Sequence, residues 1–101
     1  MENLAWAVGL YEGEGSCYYD KSNKQWRMKL KMTDKDVVEK FRDVVGVGKI
    51  YFEPHKKHKP AWNWVLFRQA EVRDLLDKFL PLLGERRACR ALDALDSLDY
   101  K

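Results

Sequence analysis

The stretch Ala5–Tyr19 reads AWAVGLYEGEGSCYY and decides the fold, because it begins as a helix and continues directly into a strand. Ala5, Gly9 and Gly13 recur every four residues and therefore line one narrow face of the predicted helix. A face with almost no side chains lets a second backbone approach closely, as at tight helix crossings. Glycine inside a helix costs about 1 kcal/mol relative to alanine, so these glycines indicate a close contact on this face.

Glu14 lies between Gly13 and Gly15, at or just past the predicted end of this helix. The helix macrodipole is negative at that end and disfavours a carboxylate. An acid in such a place, flanked by conformationally permissive glycines, is more typical of a metal ligand than of a surface charge. The alternative is a solvated carboxylate at the end of a helix.

The chain has 101 residues, which is enough for one domain, and we assign 1–101 to a single domain. Hydrophobic residues make up 46% of the sequence, so the chain can fill a modest core and disorder is not expected. It shows neither a signal peptide nor an apolar run long enough to span a membrane. Cys17 and Cys89 do not make a disulfide framework and are expected to be reduced thiols of an intracellular protein.

Hydrophobic periodicity predicts an α+β fold with the element order αββαββαα. The predicted helices are 3–13, 34–45, 69–80 and 85–98, and the predicted strands are 16–20, 25–32, 49–53 and 61–67. We expect the strands to form one four-stranded antiparallel sheet with the helices on one face. The other face of the sheet is then free to meet a different partner.

The strand at 25–32 shows the clearest alternation in the sequence. Its two faces carry Trp26, Met28, Leu30 and Met32 on one side, and Gln25, Arg27, Lys29 and Lys31 on the other. The polar face is a row of basic groups, which is typical of a surface that meets phosphates. We expect Trp26, together with Trp62 and Trp64, to lie in the core; the alternative is that they stack on nucleic-acid bases.

Polar residues of the other strands fall in the same phase as this basic row and add hydrogen-bond donors and acceptors to it. A β-ribbon with such a surface fits the major groove of DNA, where these groups can contact base edges. The alternative is a solvated sheet face. The candidate DNA-binding residues are Tyr18, Asp20, Ser22, Lys24, Gln25, Arg27, Lys29, Lys31, Lys49, Tyr51, Glu53, Lys56, Lys57 and Asn63.

The segment 54–60, PHKKHKP, is a basic loop with two histidines three residues apart. His55 and His58 have the spacing of metal ligands, but no cysteine or acid lies at ligand spacing beside them. We therefore predict a loop that contacts phosphate groups rather than a metal site.

The segment Ala7–Gly15, AVGLYEGEG, resembles the LAGLIDADG motif of homing endonucleases, and αββαββαα is the domain order of that family. Gly46–Ile50 resembles the family's helix-to-strand junction, and Phe79–Leu83 followed by Arg86 resembles its C-terminal segment. The resemblance therefore covers nearly the whole chain. It implies an endonuclease that cleaves a long pseudo-palindromic site in double-stranded DNA by divalent-metal-dependent phosphodiester hydrolysis. The alternative is a non-cleaving nucleic-acid-binding module of the same fold, resembling intron maturases or transcriptional regulators.

The resemblance also implies roles for single residues. Glu14 would bind Mg²⁺, or Mn²⁺ or Ca²⁺ in its place, and Asp34 would lie near the water network of the metal. Arg86 would take the place of a catalytic basic residue that is usually lysine in the family, or Arg87 would do so if the register differs by one. Arginine keeps the positive charge but does not deprotonate. An arginine at this position can still stabilise the charge of the scissile phosphate, but it cannot transfer a proton as a lysine could.

A single motif in a one-domain chain implies a homodimer, because relatives with two motifs carry two such domains. Pairing two small-residue faces around a two-fold axis makes an isologous contact. It brings two Glu14 carboxylates together, and a divalent cation offsets the repulsion between them. Glu12 is expected to be structural, through capping or hydrogen bonding at this contact. The expected dimer-interface residues are Ala5, Trp6, Gly9, Leu10, Glu12 and Gly13.

Overall fold

The computed structural model of the chain describes residues 2–54, 57 and 59–99, apart from the side chains at positions 2, 89 and 99. The predicted element order is confirmed, and each border lies within one residue of its predicted place. The elements are α1 Glu2–Glu14, β1 Gly15–Asp20, β2 Gln25–Met32, α2 Lys35–Val45, β3 Lys49–Glu53, β4 Ala61–Leu66, α3 Gln69–Phe79, a 3-10 turn Leu80–Leu82 and α4 Glu85–Asp99. Lys56, His55 and His58, on which part of the phosphate-loop prediction rests, lie outside the described residues. None of the helices in the described residues is long and apolar enough to cross a membrane.

The four strands form one antiparallel sheet in the order β1-β2-β4-β3. Directly paired residues project from the same face of a sheet, so the register defines its two faces. Leu30 pairs with both Gly15 and Trp64 on the face that packs against the helices. Lys31 pairs with Asn63, which also pairs with Tyr51, on the opposite face. We call this opposite face, away from the helices, the outer face.

The core lies between the sheet and the buried apolar side chains of the helices. Trp64 is fully buried, and its ring meets the Phe41 ring edge-on at a centroid distance of 4.8 Å. Trp26 is also buried, so both of these tryptophans belong to the core, as their alternation predicts. Trp62 is half-buried at the border of the core and packs against the exposed Phe52, with a centroid distance of 5.2 Å.

The turn between β1 and β2 is organised by Asp20. Its carboxylate accepts hydrogen bonds from the Asn23 side-chain amide at 2.8 Å and from the Ser22 and Asn23 backbone N–H groups at 3.0 and 3.3 Å. These bonds, with the Asn23 side chain as the largest contribution, hold the pKa of Asp20 below its ordinary value. Because the strands are antiparallel, this turn lies at the end of the sheet away from Glu14.

Candidate functional site

The junction between α1 and β1 contains no loop residue, since the helix ends at Glu14 and the strand begins at Gly15. Only glycine fits at position 15, because a Cβ built there would collide with the Tyr11 ring. The Tyr11 hydroxyl donates a hydrogen bond to the Ser16 carbonyl oxygen over 2.7 Å. Burial raises the pKa of Tyr11 above its ordinary value, so the hydroxyl stays protonated and remains a donor. The junction is therefore fixed immediately beside Glu14.

Glu14 is exposed and lies beside the end of β2. It shares a cleft of about 410 Å³ with Lys31, Met32, Thr33 and Ala61. Among the described residues, its carboxylate has neither a hydrogen-bond partner nor an ion-pair partner. The carboxylate oxygens are thus available to a cation, and they lie next to a basic residue of the outer face.

Asp34, the second acid assigned by resemblance, lies one residue beyond this cleft. It is exposed at the N-cap position of α2 and makes no side-chain capping hydrogen bond. The cleft reaches Thr33, the preceding residue, while Asp34 is not part of its wall. Asp34 therefore directly follows a residue of the cleft wall, and its role near a metal remains a prediction.

Arg87 reaches the α1–β1 junction, whereas Arg86 is exposed beside it. The half-buried guanidinium of Arg87 donates a hydrogen bond to the Gly15 carbonyl oxygen. Both arginines line a cavity of about 340 Å³ that also includes Tyr11 and Ser16. Of the two positions that the resemblance left open, Arg87 is the one held next to the end of α1.

Arg90, three residues after Arg87 on α4, belongs to the same cavity and was not selected from the sequence. Its Nε donates a hydrogen bond to the Cys17 carbonyl oxygen at 3.3 Å, and its guanidinium lies 5.1 Å from the Trp26 ring centroid. The two arginines therefore attach α4 to the backbone of the edge strand β1. Their spacing of three places both on one helix face, which is the signal that the sequence offered.

Cys17 lies in the wall of this cavity and is half-buried. Burial raises the pKa of its thiol to about 11, against a smaller opposing effect of Arg90 and Arg87. At neutral pH the thiol is therefore in its protonated form. The cysteine has a packing role at this site.

Glu12 has a partner within its own chain. Its carboxylate accepts a hydrogen bond from the backbone N–H of Gly84, the residue that precedes α4. A negative charge at the N-terminus of a helix is stabilised by the helix dipole. Glu12 thus makes a capping hydrogen bond within its own chain. Its participation in a dimer contact remains a prediction.

The small-residue face of α1 points away from the rest of the chain. Ala5, Gly9 and Gly13 are exposed, and a Cβ built on either glycine meets no other atom within 4 Å. On the other side of the helix, Ala7 and Val8 are almost fully buried in the core. The face is therefore open to a second backbone, as its spacing predicts.

The two apolar residues expected at the same interface are half-buried. The Trp6 ring lies 4.5 Å from the Lys40 ammonium of α2, and both Trp6 and Leu10 pack against the core. They border the small-residue face and retain partly exposed surface. Their contact with a second chain remains a prediction.

The candidate DNA-binding residues of the strands all project from the outer face. The register pairs Tyr18 with Arg27 and Lys29 with Val65, while Lys49 also pairs with Val65. The complete set of candidates on this face is Tyr18, Asp20, Gln25, Arg27, Lys29, Lys31, Lys49, Tyr51, Glu53 and Asn63. Ser22 and Lys24 are exposed in the β1–β2 turn, and Lys57 is exposed in the loop after β3.

Charges on the outer face are partly compensated by its own acids. Lys31 forms an ion pair with Glu53 at 2.5 Å, and Arg27 lies 3.3 Å from Asp20. Asn63 is 6% exposed and donates a hydrogen bond to Glu53 at 3.3 Å, so it lies beneath the ion pair that it supports. Binding of DNA would have to exchange phosphate or base contacts for these internal ones.

Comparison with known proteins returns solved structures of homing endonucleases. No protein-family model and no curated protein matches the sequence. The homing endonuclease I-CvuI, crystallised with its DNA target in the presence of Ca²⁺, superposes with a TM-score of 0.76 at 15% identity over 97% of this chain and 66% of that chain. The intron-encoded homing endonuclease I-CeuI, complexed with DNA, gives a TM-score of 0.74 at 12% identity over 97% of this chain and 54% of that one.

A third match is the LAGLIDADG homing endonuclease I-GzeII in complex with its DNA target. It gives a TM-score of 0.71 at 20% identity, over 93% of this chain and 34% of that chain. The present chain thus spans about two thirds of the I-CvuI chain and smaller shares of the other two. The predicted resemblance is confirmed, and the chain has the α+β fold of the LAGLIDADG homing endonucleases.

Proposed function

We propose that two copies of this chain form a site-specific, metal-dependent DNA endonuclease. The observation that carries the proposal is a cleft whose wall includes both Glu14, with its carboxylate unpaired within the described part of the chain, and Lys31 of the outer face. The basic outer face adjoins Glu14, whose carboxylate oxygen atoms have no partner among the described residues. A DNA duplex bound to this face would therefore also lie next to Glu14. The complexes of I-CvuI and I-CeuI with DNA support the use of this fold for DNA binding.

The metal would be held at the ends of two α1 helices. Within the described part of one chain, no three His, Cys, Asp or Glu side chains form a group that could hold a metal ion. One Glu14 from each copy, together with phosphate oxygens and water, provides the hard oxygen ligands that Mg²⁺ prefers. When bound, a divalent cation activates water and stabilises the leaving oxygen of a phosphodiester. I-CvuI structures were obtained with DNA and Ca²⁺ or Mg²⁺, which supports a divalent cation here.

The chain's own residues would orient the reacting groups. Tyr11 and Arg87 hold the backbone around Gly15 and so position the adjacent Glu14. Arg87 also adds a fixed positive charge beside this junction, where it would attract the scissile phosphate. Asp34, one residue beyond the cleft, would order water near the cation.

A non-cleaving DNA-binding module is the second candidate. This candidate is favoured because the chain has arginine, at Arg86 or Arg87, at the position where the family usually has lysine. A guanidinium cannot deprotonate at neutral pH, so any reaction that needs proton transfer at this position would be lost. Binding to DNA through the outer face would remain.

Selection of cleaved sequences from a random double-stranded DNA library distinguishes the two candidates. In the presence of Mg²⁺ we expect enrichment of one near-palindromic sequence that is cut at its centre. The same selection with a chelator should yield no cut product. Enrichment of bound but uncut sequences in both conditions would favour the non-cleaving module.

Neutralising Lys29 tests the outer face as the DNA-binding surface. Lys29 has no ion-pair partner among the described residues, so Lys29→Gln removes a charge without leaving a carboxylate unpaired. We expect weaker binding and a salt slope, d log K/d log[salt], smaller in magnitude by about 0.9 for each copy of the chain, or about 1.8 for the proposed dimer. The control is Lys78→Gln on α3, which should leave the slope unchanged. Fluorescence anisotropy titrations at several salt concentrations measure both, and equal slopes for Lys29→Gln and wild type would place DNA elsewhere.

A further inference from the structure

A second basic cavity, of about 330 Å³, lies away from Glu14 at the far end of α2. It is formed where α2 ends, β3 begins, β4 ends and α3 begins. Its charged wall residues are Arg42, Lys49, Arg68 and Glu71, and the rest of its wall is glycine, apolar residues and backbone. Of the four, only Lys49 belongs to the DNA-binding set selected from the sequence.

The turn at the base of this cavity is rigidly held. Gly46 ends α2 with a φ of 77°, and its N–H donates to the Arg42 carbonyl oxygen at 2.8 Å. Gly48 has a φ of 99° and packs so tightly on the Trp64 ring that a Cβ would collide with it. The Trp64 indole N–H donates to the Val47 carbonyl oxygen at 2.8 Å. The cavity is therefore built on fixed backbone rather than on a loose loop.

Three cations approach the cavity from separate elements, against one acid. The Arg42 Nε donates to the Gly48 carbonyl oxygen at 3.3 Å, which holds this side chain at the turn, and Arg42 lines the cavity. Lys49 and Arg68 are exposed. Among the described residues, none of the three cations has an ion-pair partner, and neither has Glu71. The cavity thus carries a positive excess that the described residues do not neutralise.

The cavity opens beside the outer face. Lys49 and its partner Val65 belong to that face, and Phe67 lies under the Arg27 guanidinium of the same face at 5.6 Å from its ring centroid. Four strands about 4.8 Å apart span roughly 14 Å, which is close to the major-groove width of about 12 Å. When the outer face enters the groove, groups beside its edge strand β3 meet the sugar-phosphate backbone rather than the bases.

The geometry points to a phosphodiester site: the cavity of Arg42, Lys49 and Arg68 binds a backbone phosphate at one edge of the DNA contacted by the outer face. This inference rests on the DNA-binding part of the proposed function and is independent of cleavage. A phosphate contact positions the duplex and carries no base preference of its own. Loss of the contact should therefore weaken binding to every duplex by a similar factor.

Two substitutions of opposite sign test the site. Arg68→Gln removes an exposed cation that makes no capping hydrogen bond, so the fold is not expected to change. For each copy of the chain on the duplex, we expect fivefold to tenfold weaker binding at about 0.1 M salt and a salt slope smaller in magnitude by about 1, with equal effects on unrelated duplexes. Glu71→Gln removes the one acid of the cavity and should strengthen binding. Lys78→Gln, which removes a charge elsewhere on α3, is the control for net charge.

The outcomes separate this inference from the proposed function. One outcome is that the wild-type protein binds duplex DNA while Arg68→Gln and Glu71→Gln leave both the affinity and the salt slope unchanged. In that case the proposed phosphate site is wrong, but the proposed DNA-binding function is retained. If the wild-type protein binds no duplex, both proposals fail. Titration with inorganic phosphate alone tests whether the ligand is a free phosphate ion rather than the DNA backbone. If the NMR signals of the Gly46 and Gly48 backbone amides shift with phosphate but not with duplex DNA, the cavity binds a free anion and the inference is overturned.

Discussion

Glu14→Gln is expected to abolish DNA cleavage while leaving DNA binding in place. The substitution replaces a carboxylate oxygen by an amide nitrogen, which cannot bind a hard divalent cation. Because the Glu14 side chain is exposed and has no partner among the described residues, the change breaks no internal contact. A loss of at least 100-fold in cleavage rate is therefore expected, with binding in Ca²⁺ close to that of wild type. The rate is measured as linearised plasmid over time at saturating protein.

The matched control is Glu39→Gln, which makes the same chemical change at an exposed position of α2. It should cut at the wild-type rate. Cleavage by Glu14→Gln at the wild-type rate would remove Glu14 from the metal site. Loss of binding together with cleavage would mean that Glu14 supports the fold or the duplex rather than the chemistry.

The alternation in the strand Gln25–Met32 was sufficient to predict both faces of the sheet. Period-two alternation is a local property, and the register carries it to neighbouring strands through direct pairs such as Lys31 with Asn63 and Tyr51 with Asn63. Every strand candidate for DNA binding therefore lies on one face. The same logic predicted the burial of Trp26 and Trp64.

Two of the contacts that shape the site join distant parts of the sequence, and no sequence period reveals them. Glu12 meets Gly84, and Arg87 meets Gly15, each across 72 positions of the chain. Both contacts depend on the packing of α4 beside the edge strand β1. This packing in turn depends on the entire hydrophobic core rather than on any local segment. For the same reason, the family resemblance assigned the catalytic basic position to Arg86, or to Arg87 if the register differs by one, and could not decide which of them reaches the junction.

The burial of Asn63 on the outer face was also not predictable from the alternation of the sequence. Asn63 has the right phase for a base contact, but it is 6% exposed and lies under Lys31 and Glu53. Alternation predicts the direction of a side chain and not the size of its neighbours. The long side chains on adjacent strands cover the shorter one between them, so Asn63 orients Glu53.

Gly9→Leu is expected to convert the proposed dimer into a folded monomer. A Cβ at position 9 meets no atom of its own chain within 4 Å, so leucine fits on α1. Leucine also favours a helix over glycine by nearly 1 kcal/mol, and the isolated chain should not lose stability. In a dimer formed through this face, however, each isobutyl group would separate the two helix backbones at their closest approach. Sedimentation equilibrium should give the monomer mass, with an unchanged far-ultraviolet circular dichroism spectrum.

Ala70→Leu, which enlarges an exposed residue on α3, is the control and should sediment with the wild-type mass, expected to be that of the proposed dimer. A dimer mass for Gly9→Leu would exclude the small-residue face as the contact. The variant also couples assembly to chemistry, because each chain contributes one Glu14 to the proposed metal site. A monomeric Gly9→Leu protein that still cuts both strands at the wild-type rate would show that one chain suffices, and the small-residue spacing of α1 would then need a different explanation.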